Sequence, residues 1–226
     1  MRVLTVFKRA VQFLANKFLF ISLFSALMLA ACGGGSTGDG AGEETDAGPV
    51  LTGIVAIGDS IGNGFGIATP WPTLVQNSVG VSVSNTSVTG EETPFGVSVI
   101  QGLLNNNDPS HVLILLGTND AIRGSVNGAI ANLQAMVDIA NANDVIAVVG
   151  TIPPIPANSL YNERAAQISN GIRGLSGARI AEVRGNLGDG MGLFPDGIHP
   201  NTTGQQIIAD SFLACLLYTS PSPRDS

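Results

Sequence analysis

From residue 51 onward the chain alternates short apolar runs with longer amphipathic stretches. Residues 51–57 are a continuous hydrophobic run closed by Gly58, the pattern of a strand covered on both faces. A helix is predicted over 71–79, with Pro70 and Pro72 near its start. Residues 81–87 alternate as a second strand, and 94–104 suits a helix ending in the Asn-rich stretch 105–107. The clearest buried strand is 111–116. Val126, Ile130, Leu133, Val137 and Ala140 then fall on one face of a helix. Residues 144–150 predict a fourth strand, and Pro153, Pro154 and Pro156 forbid regular structure directly after it. A helix over 159–175 leads to a weaker strand over 178–183. A last helix begins near Thr202 and carries Ile207, Ile208, Ala209, Phe212 and Leu213.

Strands alternating with helices imply an α/β domain whose parallel sheet is covered on both faces. Ligands of such sheets gather beyond the carboxyl ends of the strands. Gly58-Asp59-Ser60, Gly90, Gly117-Asn119 and the segment around His199 all follow a predicted strand or lie in its loop, so their chemistry is expected to meet at one edge.

The region before residue 51 changes the picture at the N-terminus. Arg2, Lys8, Arg9 and Lys17 lead into an uncharged apolar run of about 14 residues, short of the roughly 20 that a membrane span needs. It closes in Leu29-Ala30-Ala31-Cys32, which resembles the bacterial lipobox, where the cysteine is lipidated and becomes the new N-terminus. Residues 1–31 are accordingly expected to be a lipoprotein signal peptide, and Cys32 the lipidation site that fixes an exported protein to a bacterial membrane. An ordinary signal peptide or an uncleaved anchor is the plainer alternative. The Gly-, Ser- and acid-rich residues 32–49 bury too little apolar surface to fold and are expected to form a flexible tether. Residues 50–215 make one domain, and the Ser/Pro-rich 216–226 reads as a disordered or non-native tail. A net charge of −7, with no Lys/Arg cluster past Arg9, argues against a nucleic-acid partner. With Cys32 committed to lipid, Cys215 has no disulfide partner and is expected to be a small core residue.

Within the domain, Ser60 stands in AIGDSIGNGFG directly after the first strand. The string fits a G-x-S-x-G nucleophile elbow, but that elbow follows several strands and draws its acid and histidine from separate later loops. Here one strand precedes Ser60, and Asp196 lies three positions before His199 in FPDGIHPN. A serine hydroxyl becomes a good nucleophile when a neutral imidazole accepts its proton, and a carboxylate fixes that imidazole's tautomer. The chain has two histidines, and His111, at the start of a strand, reads as structural or solvated. A metal site on Asp196 and His199 fails for want of further His or Cys ligands. Gly90 in NTSVTGEET offers a backbone N–H, and Asn119 in LLGTNDAIRG a side-chain amide. With the Ser60 N–H they would form an oxyanion hole. Taken singly, Gly90 is a turn glycine and Asn119 a capping residue.

GDS, NTSVTG, GTND and DGIHP, in this order and each after a strand, resemble the four sequence blocks of the SGNH (GDSL) hydrolases over roughly residues 54–213. The resemblance places that family's defining residues on Ser60, Gly90, Asn119 and His199, and its acid on Asp196. WPTLVQN, TNDAIRG, TIPP, YNERAA and DGIHPNTTGQQIIADSF are similar to its bacterial thioesterase, lysophospholipase and arylesterase branch; Ile61 stands where the GDSL motif has leucine. The resemblance implies a three-layer flavodoxin-like fold, a five-stranded parallel sheet in the order 2-1-3-4-5, no metal, no organic cofactor and an acyl or aryl ester substrate. Gly62, Gly64, Gly66 and the loop 152–157 either shape the acyl site or simply make turns. Two alternatives stand beside it: a carbohydrate acetyl esterase of the same family, disfavoured by few aromatics, and a non-catalytic surface binding module.

Overall fold

The computed structural model describes residues 51–217. The signal peptide, Cys32, the tether and the tail beyond residue 217 lie outside the described residues. Five parallel strands, β1 (Ile54–Gly58), β2 (Val83–Asn85), β3 (His111–Leu115), β4 (Ile146–Gly150) and β5 (Arg179–Ala181), form one sheet in the order β2-β1-β3-β4-β5. This is the expected order. The central pair is in register from Ile54 opposite His111 to Gly58 opposite Leu115. Every residue of β1 and β3 is buried, which is why both read as unbroken apolar runs rather than alternating ones.

Eight helices accompany the strands among the described residues: α1 (Ser60–Asn63), α2 (Trp71–Val79), α3 (Thr93–Asn107), α4 (Thr118–Arg123), α5 (Val126–Ala142), α6 (Ser159–Ile172), α7 (Val183–Leu187) and α8 (Thr202–Leu217). Helices α3, α5 and α6 pack side by side on one face of the sheet, and α2, α7 and α8 on the other. The two-residue period of a strand divides the core accordingly. Val55, Ile57, Val112, Ile114 and Val149 join Ile100, Leu133, Met136, Val137 and Ile168 in one continuous cluster. Trp71 of α2 stacks on Phe212 of α8, with centroids 4.5 Å apart, to tie the other layer together.

Several boundaries differ from expectation. Helix α3 runs on through Asn105–Asn107 and ends where Asp108 takes a left-handed conformation (φ 43°) and donates its backbone N–H to the Leu104 carbonyl. Helix α8 extends to Leu217, so the first two residues assigned to the tail are helical, and Leu216 is buried. Strands β2 and β5 each shrink to three residues at or near the sheet edges. Cys215 is buried, and its thiol donates to the Ile180 carbonyl. Among the described residues no helix is long and apolar enough to cross a membrane.

Candidate active site

Strand β1 ends at Gly58, and the chain turns at once into α1. Asp59 caps that short helix: its Oδ1 accepts the Ile61 N–H at 2.9 Å, which fixes Ser60 at the first helical position. The fit around this turn is close. A Cβ on Gly58 would lie 2.7 Å from Ser87 Oγ, and one on Gly62 would lie 2.3 Å from the same atom. Glycine is required on both sides of Ser60 because the segment after β2 presses against it.

Asp59 is fully buried, and burial pushes its carboxyl up to about 6, against the lowering effect of the Ile61 N–H, the Thr118 hydroxyl and the charge of His199. Thr118 precedes Asn119, so one carboxyl touches both the turn bearing Ser60 and the helix bearing Asn119. Sequence reasoning missed this residue, because an aspartate beside a serine reads as an ordinary turn pair.

The loop between α7 and α8 brings the other two groups across. Asp196 Oδ1 accepts the backbone N–H groups of Ile198 and His199, at 2.9 and 2.7 Å. Its Oδ2 lies 2.6 Å from His199 Nδ1. Nε2 of the same imidazole lies 2.9 Å from Ser60 Oγ, closing a contact across 139 residues. Burial acting alone would raise the Asp196 carboxyl. The bonds from the His199 backbone, the His199 ring and Ile198 outweigh it and hold the group at about 2. Asp196 is therefore anionic at neutral pH even though its side chain is 49 % exposed.

Gly197 gives this loop its shape. It adopts φ +79°, and a Cβ there would lie 2.5 Å from the Ala157 Cβ and 2.8 Å from the Ala157 backbone nitrogen. The Ala157 N–H donates to the Gly197 carbonyl, so the loop that carries Asp196 and His199 is docked on the Pro-rich segment after β4. That segment is itself fixed: residues 151–155 are buried, and Arg184 donates to the carbonyls of Ile152 and Pro153.

The remaining candidates are locked to each other. Asn119 Nδ2 donates to the Glu91 carbonyl at 2.9 Å, Arg123 donates to the Gly90 carbonyl and pairs with Glu92, and Asp120 accepts both the backbone and the hydroxyl of Thr93. Gly90 takes φ +83°. Asn119 Nδ2 carries two hydrogens and gives one to Glu91. Its second, together with the N–H groups of Ser60 and Gly90, has no protein acceptor among the described residues. Three donors thus stand uncommitted on segments that follow β1, β2 and β3 at the carboxyl edge.

Phe65 is a further neighbour that the sequence did not disclose. Its ring stacks on the His199 imidazole with centroids 4.4 Å apart and planes at 29°. His111, by contrast, is buried at the amino end of β3 with Nδ1 beside Ser110 Oγ, and burial, then the charge of Arg179, lowers it to about 4. It is structural.

Comparison with known proteins identifies the family. A model described as the GDSL-like Lipase/Acylhydrolase family matches residues 56–207. An arylesterase of Vibrio mimicus is 32% identical over 112 residues, covering 45% of this chain and 56% of that protein, so the chain matches little more than half of its length. Thioesterase 1/protease 1/lysophospholipase L1 of Escherichia coli (strain K12) is 27% identical over 172 residues, covering 70% of this chain and 79% of the relative. The crystal structure of TesA superposes with a TM-score of 0.65 at 24% identity, over 74% of this chain and 98% of that one, a likeness of fold.

Proposed function

We propose that this chain, which belongs to the GDSL-like lipase/acylhydrolase family, is a serine hydrolase that cleaves acyl or aryl esters, lysophospholipids and thioesters among them, through an acyl-enzyme on Ser60. One observation carries the reading. The Ser60 hydroxyl, the His199 imidazole and the Asp196 carboxylate stand in hydrogen-bonded series at 2.9 and 2.6 Å. The carboxylate, held anionic, keeps the proton on Nδ1, which leaves the Nε2 lone pair facing the hydroxyl.

Ser60 Oγ attacks the acyl carbonyl carbon as its proton passes to His199 Nε2. The carbonyl oxygen becomes an oxyanion that accepts from the Ser60 and Gly90 N–H groups and the spare Asn119 hydrogen. Collapse of that intermediate breaks the ester C–O bond, and His199 gives its proton to the departing alcohol or thiol. Water then adds to the acyl-enzyme with the same base, releasing the acid and restoring Ser60.

The surface favours an apolar acyl or aryl group. Val88, Leu160 and Met191 are large hydrophobics that stand exposed among the described residues, on segments that follow β2, β4 and β5. For placement in the cell, the Leu29-Ala30-Ala31-Cys32 sequence supports lipidation at Cys32 and an outward-facing membrane protein. Labelled palmitate should enter the wild type and not Cys32→Ala.

The function is tested by labelling with a fluorophosphonate probe and by an ester panel spanning p-nitrophenyl esters and lysophosphatidylcholine. Ser60→Ala should lose the label and, by analogy with serine proteases, about 10⁶ in kcat. Retention of more than about a hundredth of the activity would refute the role of Ser60.

A further inference from the structure

We propose that Phe65 is a positioning residue that keeps the His199 imidazole upright between Ser60 and Asp196. The inference rests on the triad reading above. The imidazole is held at its two nitrogens, Nδ1 and Nε2, whose N–H and lone pair project in the plane of the ring. Beyond the covalent bond at Cγ, two bonds at the nitrogens restrain the ring least against tipping out of line. Contact with a ring face opposes that motion directly. Phe65 supplies it, stacked at 4.4 Å and 29°.

The carboxylate cannot do this alone. The Asp196 side chain is half exposed, so water competes for the oxygen that holds Nδ1. The aromatic ring is also better anchored than its surface position suggests. The Phe65 N–H donates to the Ser60 carbonyl at 3.0 Å, beside the Gly64 N–H on the same oxygen at 3.1 Å. Nucleophile and aromatic ring therefore belong to one tight turn, and that turn meets His199 twice, by a hydroxyl at Nε2 and by a ring on the face. As the imidazole gains charge during attack, the electron-rich face of Phe65 also favours the cation.

With 54 % of Phe65 exposed, its removal should leave the fold standing. Phe65→Ala should lower kcat on a short p-nitrophenyl ester by about 10- to 100-fold, the penalty of a misplaced general base, with KM within about 3-fold and Tm within about 2 °C. Phe65→Tyr, which keeps the ring, should restore kcat to within about 3-fold of wild type. A readout independent of turnover is the Nδ1 proton of His199 in low-temperature proton NMR, assigned by its loss in His199→Ala. The chain has two histidines, so the region is uncrowded. This resonance should sharpen into view in the wild type and Phe65→Tyr and exchange-broaden in Phe65→Ala. A kcat for Phe65→Ala within about 2-fold of wild type, a loss confined to KM, or an unchanged Nδ1 signal would each overturn the proposal. A wild-type protein that takes no fluorophosphonate at Ser60 would instead refute the hydrolase assignment, which keeps the two failures apart.

Discussion

Gln205 reaches Ile61 across 144 residues of sequence: its side-chain amide donates to the Ile61 carbonyl at 3.1 Å, while its Oε1 accepts the Trp71 N–H at 2.8 Å. Gln205 is buried in the first turn of α8, six residues after His199. One side chain thus ties the helix that follows the base to the helix that carries the nucleophile. Gln205→Leu strands a buried carbonyl and a buried N–H together and should cost about 2–4 kcal/mol in urea unfolding. Activity should fall with it, because α1 loses its brace. An unchanged unfolding midpoint would show that water replaces both bonds.

Asn119 offers a more selective lesion. Asn119→Ala removes the side-chain donor while leaving Ser60, His199 and Asp196 in place. Steady-state kinetics should show kcat down by about 10²–10³ with little change in KM. A loss carried by KM instead would mean that Asn119 binds the ground state and has no special hold on the oxyanion.

Asp59 gives a pH signature in stability. Its native carboxyl titrates near 6 against 3.8 for an ordinary aspartate, so in that window the folded chain retains a proton that the unfolded chain has lost. Its contribution is full below 3.8 and fades as pH rises through 6. Asp59→Asn keeps an oxygen for the Ile61 N–H and removes the buried charge. The variant should match wild type near pH 3.5 and exceed it by up to about 3 kcal/mol at pH 8, measured by chemical denaturation. Taking the difference between variant and wild type also cancels His111, whose depressed titration works in the opposite direction in both proteins.

At Gly197 the prediction is steric. Gly197→Ala must abandon φ +79° or collide with the Ala157 backbone, and either outcome swings Asp196 and His199 out of line. It should lower Tm by about 4–8 °C and kcat by at least about 10-fold. Gly66→Ala has a similar φ and open space at its Cβ, so it should be the milder of the two.

The sequence disclosed what local pattern can encode. Unbroken apolar runs marked β1, β3 and β4, with Ser60 and Asn119 visible as polar interruptions after β1 and β3, while Gly90, Asp196 and His199 were legible in the NTSVTG and DGIHP segments that follow β2 and β5. What it withheld depends on contacts between distant segments. Helices α1, α4 and α7 have no more than six residues, too few for a periodic signal, and α1 exists because Asp59 caps it. The run of asparagines after Leu104 looked like a helix stop, yet α3 absorbs it because the helix terminates by the geometry of Asp108. Phe65 and Gln205 carried no sign of their roles, since an aromatic in a glycine-rich turn and a glutamine in a helix are both commonplace. Only the folded chain sets them against His199 and Ile61.

The crowding around Ser87 reaches further than the turn it describes. Its Oγ is buried without a hydrogen-bond partner among the described residues and sits where side chains on residues 58 and 62 would have to be. Positions 58, 62 and 87 therefore behave as one volume shared among three owners, and a gain by any of them must be met by a loss at another. In a mutational library these sites should be inherited as a set, intolerant singly and permissive only in compensating combinations. Variation in ester preference would then accumulate on the outer loops, while the spacing behind the serine hydroxyl stays frozen.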